Sequence, residues 1–174
     1  MNTTNKALFL DRDGIINIDK GYVYKREDFE FQKGIFELLS HAKDLGYKLL
    51  LITNQSGINR GYYTLKDFEK LTEYLQESLL KKLGFSLDGI YFCPHTPQEN
   101  CPCRKPKPYL ILQATKEHNI NLEQSFMIGD KESDVMAGLN AKVKNNILLT
   151  TKTTESNNTY KVCHNLNEVI QFIQ

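Results

Sequence analysis

The sequence has no tryptophan, only 5 prolines among 174 residues, and no excess of either charge. Lys and Arg number 22 and Asp and Glu 21, which gives a net charge of +1. Nucleic-acid binding proteins usually carry a basic excess, so this balance argues against that class. The longest apolar run, at 49–52, is too short to cross a membrane, and the run at 7–10 is too short for the core of a signal peptide. We therefore predict a cytoplasmic protein with no nucleic-acid or membrane partner, and we expect a monomer.

Short apolar runs alternate with helical patterns along the whole chain. This βαβα order predicts an α/β fold, a three-layer sandwich in which helices cover both faces of a mainly parallel sheet. The length suits one domain over 1–174, and the segment between the first two strands is too short for a separate cap domain. The predicted strands are 7–10, 48–53, 89–92, 125–128, 146–149 and an edge strand at 161–163. The predicted helices are 35–45, 64–83, 108–118, 132–139 and 166–172, with a polar loop at 150–160.

Two carboxylates, Asp11 and Asp13, follow the first strand and precede Gly14. Side chains that leave a buried strand in this register can converge outside the sheet edge, where their repulsion favours a cation, and such an oxygen-rich site suits Mg²⁺. One carboxylate can attack phosphorus while the other transfers the proton. Gly14 would let the backbone approach the site. The pair alone is equally typical of a turn with two solvated aspartates.

Polar groups follow the later strands as well. Thr53 ends the second strand and offers a hydroxyl to a phosphoryl group. Arg104 and Lys105 supply two cations, although in isolation they would be a solvated basic pair. Asp130 follows the fourth strand as a third candidate Mg²⁺ ligand, and Asp134, one helical turn on, would brace the metal site or Lys131, or act only as an acidic residue at a helix N-terminus.

The order of these motifs over residues 7 to 150 resembles the haloacid dehalogenase (HAD) superfamily of phosphatases. The resemblance implies a Rossmann-like HAD fold and an Mg²⁺-dependent reaction. It implies that Asp11 is the nucleophile and Asp13 the general acid and base, while Thr53 and Lys105 stabilise the transferring phosphoryl group. The implied Mg²⁺ ligands are the Asp11 carboxylate, the Asp13 backbone carbonyl and Asp130.

Three of the 4 cysteines lie between positions 93 and 103. Cys93, Cys101 and Cys103, together with His95, form a Cys₃His set, which is a common shell for structural zinc and leaves no open coordination position. The set would make residues 93–103 a zinc-bound loop insert that holds the following Arg104 over the phosphate. The remaining Cys163 is expected to be a small buried apolar side chain.

The spacing of this loop is similar to that of the subfamily that contains the histidinol-phosphate phosphatases and the heptose-bisphosphate phosphatases. The resemblance implies a small sugar phosphate as substrate and hydrolysis of the C7 phosphate of D-glycero-D-manno-heptose 1,7-bisphosphate. Histidinol phosphate is the alternative substrate, followed by a nucleic-acid 3′-phosphate or a non-catalytic zinc-stabilised binding module. A short loop at 96–100 leaves the anomer open. The implied substrate contacts are Asp19, Lys20, Gly21, Tyr22, Thr53, Asn54, Gln55, Ser56, Arg104, Lys105 and Lys131.

Overall fold

The computed structural model of the protein describes residues 4–152, 156 and 158–174. The strands are β1 (Lys6–Leu10), β2 (Tyr47–Asn54), β3 (Gly89–Cys93), β4 (Phe126–Gly129), β5 (Asn145–Leu149) and β6 (Lys161–Cys163). The helices are α1 (Ile35–Asp44), α2 (Leu65–Leu83), α3 (Tyr109–His118), α4 (Glu132–Asn140) and α5 (Leu166–Ile170). Short 3₁₀ turns lie at Arg26–Asp28, Pro97–Glu99 and Leu122–Gln124.

The strands form one sheet in the order β3-β2-β1-β4-β5-β6, and every pairing is parallel. The predicted α/β class and parallel sheet are confirmed. Because β1 lies between β2 and β4, the carboxyl ends of these three strands meet at the centre of one sheet edge. The site predicted from the sequence lies at this edge, where parallel sheets usually bind their ligands.

The two faces of the sheet carry separate apolar clusters. In β1, Leu8 and Leu10 pack into one cluster with α1, α2 and α5, whereas Ala7 and Phe9 pack into the other with α3 and α4. All four side chains are completely buried. Residues 7–10 of the strand therefore all need to be apolar, which explains why they form a continuous apolar run.

The ends of α2 follow from the chemistry of their capping residues. The Thr64 hydroxyl accepts a hydrogen bond from the Asp67 backbone N–H, and the Asp67 carboxylate accepts one from the Thr64 backbone N–H. The helix stops at Gly84, whose φ of 80° lies in the left-handed region. Both ends were predicted from the sequence, and both are confirmed.

Some parts of the fold are less visible in the sequence. The three 3₁₀ turns were not predicted, and α5 is shorter than the predicted helix at 166–172 because it ends at Ile170. The predicted loop at 150–160 lies in part outside the described residues. Among the helices that the structure describes, none is both long enough and apolar enough to cross a membrane.

Candidate active site

Asp11 is the first residue after β1 and lies at the centre of the sheet edge. Its backbone N–H donates to the carbonyl of Ile128 at 3.1 Å, so the residue still follows the line of the sheet. The side chain is buried, with only 7% of its surface exposed. Burial raises the pKa of Asp11, and the Lys105 ammonium opposes that rise. Asp11 is therefore a desolvated carboxylate whose charge depends on a neighbouring cation.

Lys105 supplies that cation and is itself almost fully buried. Its Nζ lies 2.9 Å from Asp11 Oδ1, 2.7 Å from the carbonyl oxygen of Ile52 and 2.7 Å from Asp134 Oδ1. Burial would lower the pKa of Lys105, but the two carboxylates outweigh it and raise the pKa above its usual value. With three acceptors around it, the ammonium stays charged and its position is fixed.

Asp134 supports Lys105 as well as the start of α4. One carboxylate oxygen pairs with Lys105, and the other accepts the backbone N–H of Lys131 at 3.0 Å. The sequence had suggested the metal site or Lys131 as the group that Asp134 would brace. The structure shows that the ion pair with Lys105 is its principal side-chain contact, while only the backbone of Lys131 is involved.

Asp130 has the features of a carboxylate that faces a cation. Its Oδ1 is buried and accepts no hydrogen bond from the described residues. Burial and then the negative charge of Asp11 raise the pKa of Asp130 to about 7. The carboxylates of Asp11, Asp130 and Asp134 lie within 4.8 Å of one another. A divalent ion among these oxygens would satisfy the orphaned atom and relieve the repulsion, so the donor set fits Mg²⁺.

Gly14 makes this arrangement of carboxylates possible. Its φ is 91°, and a Cβ at this position would overlap the Asp130 carboxylate. The left-handed conformation and the close approach both require a residue without a side chain. The predicted role of Gly14 in bringing the backbone close to the site agrees with this geometry.

The Asp13 carboxylate is held by several donors. Arg12 Nη2 lies 3.0 Å from each of its oxygens, and the side-chain amides of Asn17 and Gln55 donate to it, each at 3.0 Å. Arg12 is almost fully buried and also donates to the Val23 carbonyl at 2.6 Å. Asp13 is therefore a rigidly oriented carboxylate beside the nucleophile candidate.

The residues at and after the end of β2 contact both Asp13 and Lys105. The Thr53 hydroxyl is buried and accepts a hydrogen bond from Gln55 Nε2 at 2.9 Å. The Asn54 side chain accepts the backbone N–H of Lys105 at 3.0 Å and donates to its carbonyl at 3.2 Å. This two-point contact fixes the peptide that carries the buried ammonium. Ser56 Oγ lies 3.4 Å from Arg60 Nε.

The loop after β1 contributes an ion pair at the rim. Lys131 Nζ lies 3.1 Å from Asp19 Oδ2, and Asp19 also accepts the Gly21 N–H at 2.9 Å. Burial acts to raise the pKa of Asp19, but these donors lower it below its usual value. Lys20 behaves differently from its neighbours, because its ammonium pairs with Glu30 at 3.0 Å.

A cavity of 260 Å³ opens between these groups. Most of the predicted substrate-binding residues line it, but Lys20 and Thr53 do not, and neither does the predicted metal ligand Asp130. Thr53 is buried behind Gln55, and Asp130 lines another cavity together with Gly14. The lining residues are Asp11, Asp13, Asp19, Gly21, Tyr22, Asn54, Gln55, Ser56, Tyr63, Arg104, Lys105, Lys131, Ser133 and Asp134.

The predicted cysteine and histidine ligands lie close together next to this cavity. Cys93 Sγ is 3.4 Å from Cys101 Sγ and 3.5 Å from His95 Nδ1. Cys103 Sγ is 3.3 Å from His95 Nδ1 and 3.6 Å from Cys101 Sγ. Four ligands at about 2.3 Å from a tetrahedral ion would lie about 3.8 Å apart. The cluster therefore has the composition and nearly the dimensions of a metal site.

This cluster is joined directly to the segment that carries Arg104 and Lys105. The backbone N–H of Gln55 donates to the Cys93 carbonyl at 2.7 Å, which ties the end of β2 to the end of β3. Arg104 Nη1 donates to the His95 carbonyl at 3.1 Å. Any ion that orders this loop would also order Arg104 and the adjacent Lys105.

Comparison with known proteins shows the family to which this chain belongs. The sequence model of the HAD-hydrolase-like family matches residues 102–169. A D-glycero-beta-D-manno-heptose-1,7-bisphosphate 7-phosphatase from Helicobacter pylori strain J99 is 76% identical over 174 residues, which cover 100% of both chains. The chain belongs to the heptose-bisphosphate phosphatase family. This family is part of the HAD-like hydrolases, so the predicted superfamily is confirmed.

Other members of the heptose-bisphosphate phosphatase family differ in the anomer that they are named for. A D-glycero-alpha-D-manno-heptose-1,7-bisphosphate 7-phosphatase from Campylobacter jejuni is 47% identical over 169 residues, which cover 97% of this chain and 96% of the relative.

A D,D-heptose 1,7-bisphosphate phosphatase from B. bronchiseptica, whose crystal structure contains magnesium and phosphate, has a TM-score of 0.84 at 24% identity. The alignment covers 95% of this chain and 96% of that one, and it supports the same fold.

Several residues of the site were not predicted from the sequence. Arg12 and Asn17 hold the Asp13 carboxylate, and Tyr63 lines the cavity. Arg12 stands between two aspartates, which was a visible signal for a charge partner. Asn17 and Tyr63 carry no comparable signal, because only the folded chain brings them to Asp13 and Gln55.

Proposed function

We propose that the protein hydrolyses the C7 phosphate of D-glycero-β-D-manno-heptose 1,7-bisphosphate. The observation that carries the reaction type is the buried Asp11 carboxylate, in contact with Lys105 and grouped with Asp130 at the sheet edge. Family membership supports a heptose bisphosphate as the substrate, and the β anomer is supported by the relative that matches the whole chain at 76% identity and is named for it.

The first step is attack by Asp11 on phosphorus. A carboxylate oxygen of Asp11 forms a bond to the C7 phosphorus while the bond between phosphorus and the C7 oxygen breaks. Asp13 gives its proton to the leaving sugar oxygen as general acid. Asp13 then removes a proton from water, the water oxygen attacks the phosphorus of the aspartyl-phosphate, and inorganic phosphate leaves as Asp11 is restored.

Lys105 stabilises the phosphoryl group as it moves, whereas the predicted part of Thr53, whose hydroxyl is buried behind Gln55, stays a prediction. Lys105 is positioned before the substrate arrives by Asp134 and by the clamp of Asn54 on its backbone, so little reorganisation is needed during the reaction. Mg²⁺ would be held by the carboxylates of Asp11 and Asp130 and by the Asp13 carbonyl. When bound, it supplies charge neutralisation for the carboxylates and the phosphoryl oxygens.

The rim of the cavity is suited to the rest of a doubly phosphorylated sugar. Arg104 and Lys131 are the cations at this rim, and both line the cavity. The planar guanidinium of Arg104 suits a phosphate or a sugar hydroxyl, and the loop at Asp19, Gly21 and Tyr22 faces the same space. Lys20 pairs with Glu30, so its predicted part in binding stays a prediction.

A substrate panel tests the proposed function. Phosphate release should be fastest with the β anomer of the heptose bisphosphate, and the α anomer should give a kcat/KM lower by about tenfold or more, which is a transition-state difference of about 1.4 kcal/mol. Histidinol phosphate and a nicked DNA with a 3′-phosphate should be poor substrates. Faster release from histidinol phosphate or from the DNA would overturn the proposal, and preference for the α anomer would correct the anomer alone.

We also propose that the Cys₃His cluster binds a structural Zn²⁺. The support is the donor set of three thiols and one imidazole within a tetrahedral spacing. The cluster offers four protein ligands and so leaves no coordination position for a substrate. That the enzyme acts as a monomer in the cytoplasm stays a prediction from the sequence.

Removal of this ion is expected to lower both activity and thermal stability. Because Arg104 bonds to the His95 carbonyl and Lys105 follows directly, a loosened loop should reduce kcat/KM at least about tenfold. The measurement compares metal-stripped protein, assayed in excess Mg²⁺, with the same sample after Zn²⁺ is returned, and it records Tm in both states. Full turnover and an unchanged Tm in protein that metal analysis shows to be empty would refute the zinc proposal.

A further inference from the structure

We propose that Tyr63 is a positioning residue for the reaction and acts through the side-chain amide of Gln55 to orient the Asp13 carboxylate. This inference rests on the proposed function in one respect. It requires that the substrate is a phosphate ester and that Asp13 protonates its leaving oxygen. Tyr63 lies between β2 and α2, directly before the N-cap Thr64, and has 5% of its surface exposed.

Both N–H groups of the Gln55 amide are committed within the site. Nε2 donates to Asp13 Oδ2 at 3.0 Å and to Thr53 Oγ1 at 2.9 Å. Gln55 has 2% of its surface exposed, and its backbone N–H is bonded to the Cys93 carbonyl. The amide therefore acts as a fixed bridge between Asp13 and Thr53, not as a free donor at the cavity surface.

Tyr63 determines which way this amide faces. Its hydroxyl donates to Gln55 Oε1 at 2.6 Å. The Asp13 oxygen accepts from Gln55 Nε2 and the Tyr63 hydroxyl donates to Gln55 Oε1, so the amide nitrogen faces Asp13 and the amide oxygen faces Tyr63. Burial raises the pKa of Tyr63 to about 12, so the hydroxyl keeps its proton at neutral pH. Without this donor the amide oxygen would be buried and unpaired, and the amide would be free to rotate.

Packing contacts hold the ring of Tyr63 in place independently of these hydrogen bonds. A Cβ at Gly57 would overlap the ring, so the glycine is needed for the ring to lie against the backbone. Tyr24 stacks on the ring with a centroid distance of 5.1 Å and an interplanar angle of 10°. The ring is thus confined by Gly57 and Tyr24, which places the hydroxyl accurately against Gln55.

The position of Asp13 matters most when the leaving group needs a proton. A sugar alkoxide leaves slowly unless an acid protonates it, whereas 2,4-dinitrophenolate leaves without protonation. Loss of the orienting hydrogen bond should therefore reduce phosphoryl transfer from an alkyl phosphate far more than from 2,4-dinitrophenyl phosphate. A general distortion of the site would reduce both reactions alike.

The test compares Tyr63→Phe with wild type on both kinds of substrate. We expect kcat/KM for the heptose bisphosphate to fall about tenfold, and that for 2,4-dinitrophenyl phosphate to fall less than about twofold. Tyr24→Phe is the matched control, since it keeps the ring stack and none of the hydrogen bonds of the described residues joins Tyr24 to Gln55. It should behave like wild type. Gly57→Ala, which displaces the ring of Tyr63, should reproduce the selective loss.

The inference fails if Tyr63→Phe lowers both substrates by the same factor or lowers neither. This failure is distinct from failure of the proposed function, because any alkyl phosphate that wild type hydrolyses can replace the heptose bisphosphate. If Gly57→Ala does not fold, Tyr63→Phe alone decides the question, since it removes a single oxygen atom and leaves the ring in place.

Discussion

Asp11→Asn is expected to abolish phosphatase turnover, with kcat falling by at least about 10⁴-fold, as when an enzyme loses its covalent nucleophile. An amide oxygen at this position is too weak a nucleophile to form the acyl phosphate. The variant should still fold, because Asn has almost the same shape and the partner Lys105 retains Asp134 at 2.7 Å. The measurement is release of inorganic phosphate from the heptose bisphosphate, together with circular dichroism.

Asp28→Asn is the matched control for this variant. Asp28 is an exposed aspartate in a 3₁₀ turn outside the cavity lining, so its loss should leave kcat unchanged. Turnover in Asp11→Asn within about tenfold of wild type would show that Asp11 does not form the covalent bond.

Lys105→Met is expected to be the second most damaging change. It removes the cation from two buried carboxylates, Asp11 and Asp134, and breaking a buried ion pair in this way costs about 3–5 kcal/mol in the free energy of unfolding. Turnover should also fall by about 10³-fold, because the cation that stabilises the negative charge of the transferring phosphoryl group is lost. Denaturant unfolding and steady-state kinetics measure the two effects separately.

A second substitution separates the structural effect from the catalytic one. In Lys105→Met with Asp134→Asn, one of the uncompensated carboxylates is gone, so much of the lost stability should return. Activity should not return, because the cation is still missing. Recovery of activity in the double variant would contradict the role of Lys105 in catalysis, and an unchanged stability would contradict the ion pair with Asp134.

Much of the fold could be predicted because its signals are local. β1 is a continuous apolar run since both faces of the strand are buried, and α2 is bounded by a capping residue, Thr64, and by Gly84. The 3₁₀ turns were missed because they are only three residues long and leave no periodic pattern.

The candidate site was predictable in outline for the same reason. Each of its charged motifs follows a strand or the cysteine cluster, and parallel strands bring such motifs to one edge. Asp11, Lys105 and Asp130 were all identified in this way, and the structure brings them together. Their functional roles remain proposals that the variants above test.

The partners of these residues could not be predicted. Asp134 pairs with Lys105, although the two are far apart in the sequence, and Tyr63 reaches Asp13 only through Gln55. The first relation joins the loop after β3 to α4, and the second joins the loop after β2 to the loop after β1. Lys20 was predicted to contact the substrate because of its position in the sequence. Its neighbours Asp19 and Gly21 line the cavity, but Lys20 pairs with Glu30 and does not line it.

If Asp11 carries the phosphoryl group during turnover, the aspartyl-phosphate can be trapped directly. Wild-type enzyme is mixed with the heptose bisphosphate, quenched in acid during turnover and treated with borohydride, which reduces an acyl phosphate to an alcohol. Peptide mass spectrometry should then find homoserine at position 11 and an unchanged aspartate at position 13. Reduction at Asp13, or no reduction at either aspartate while phosphate is released, would contradict the account.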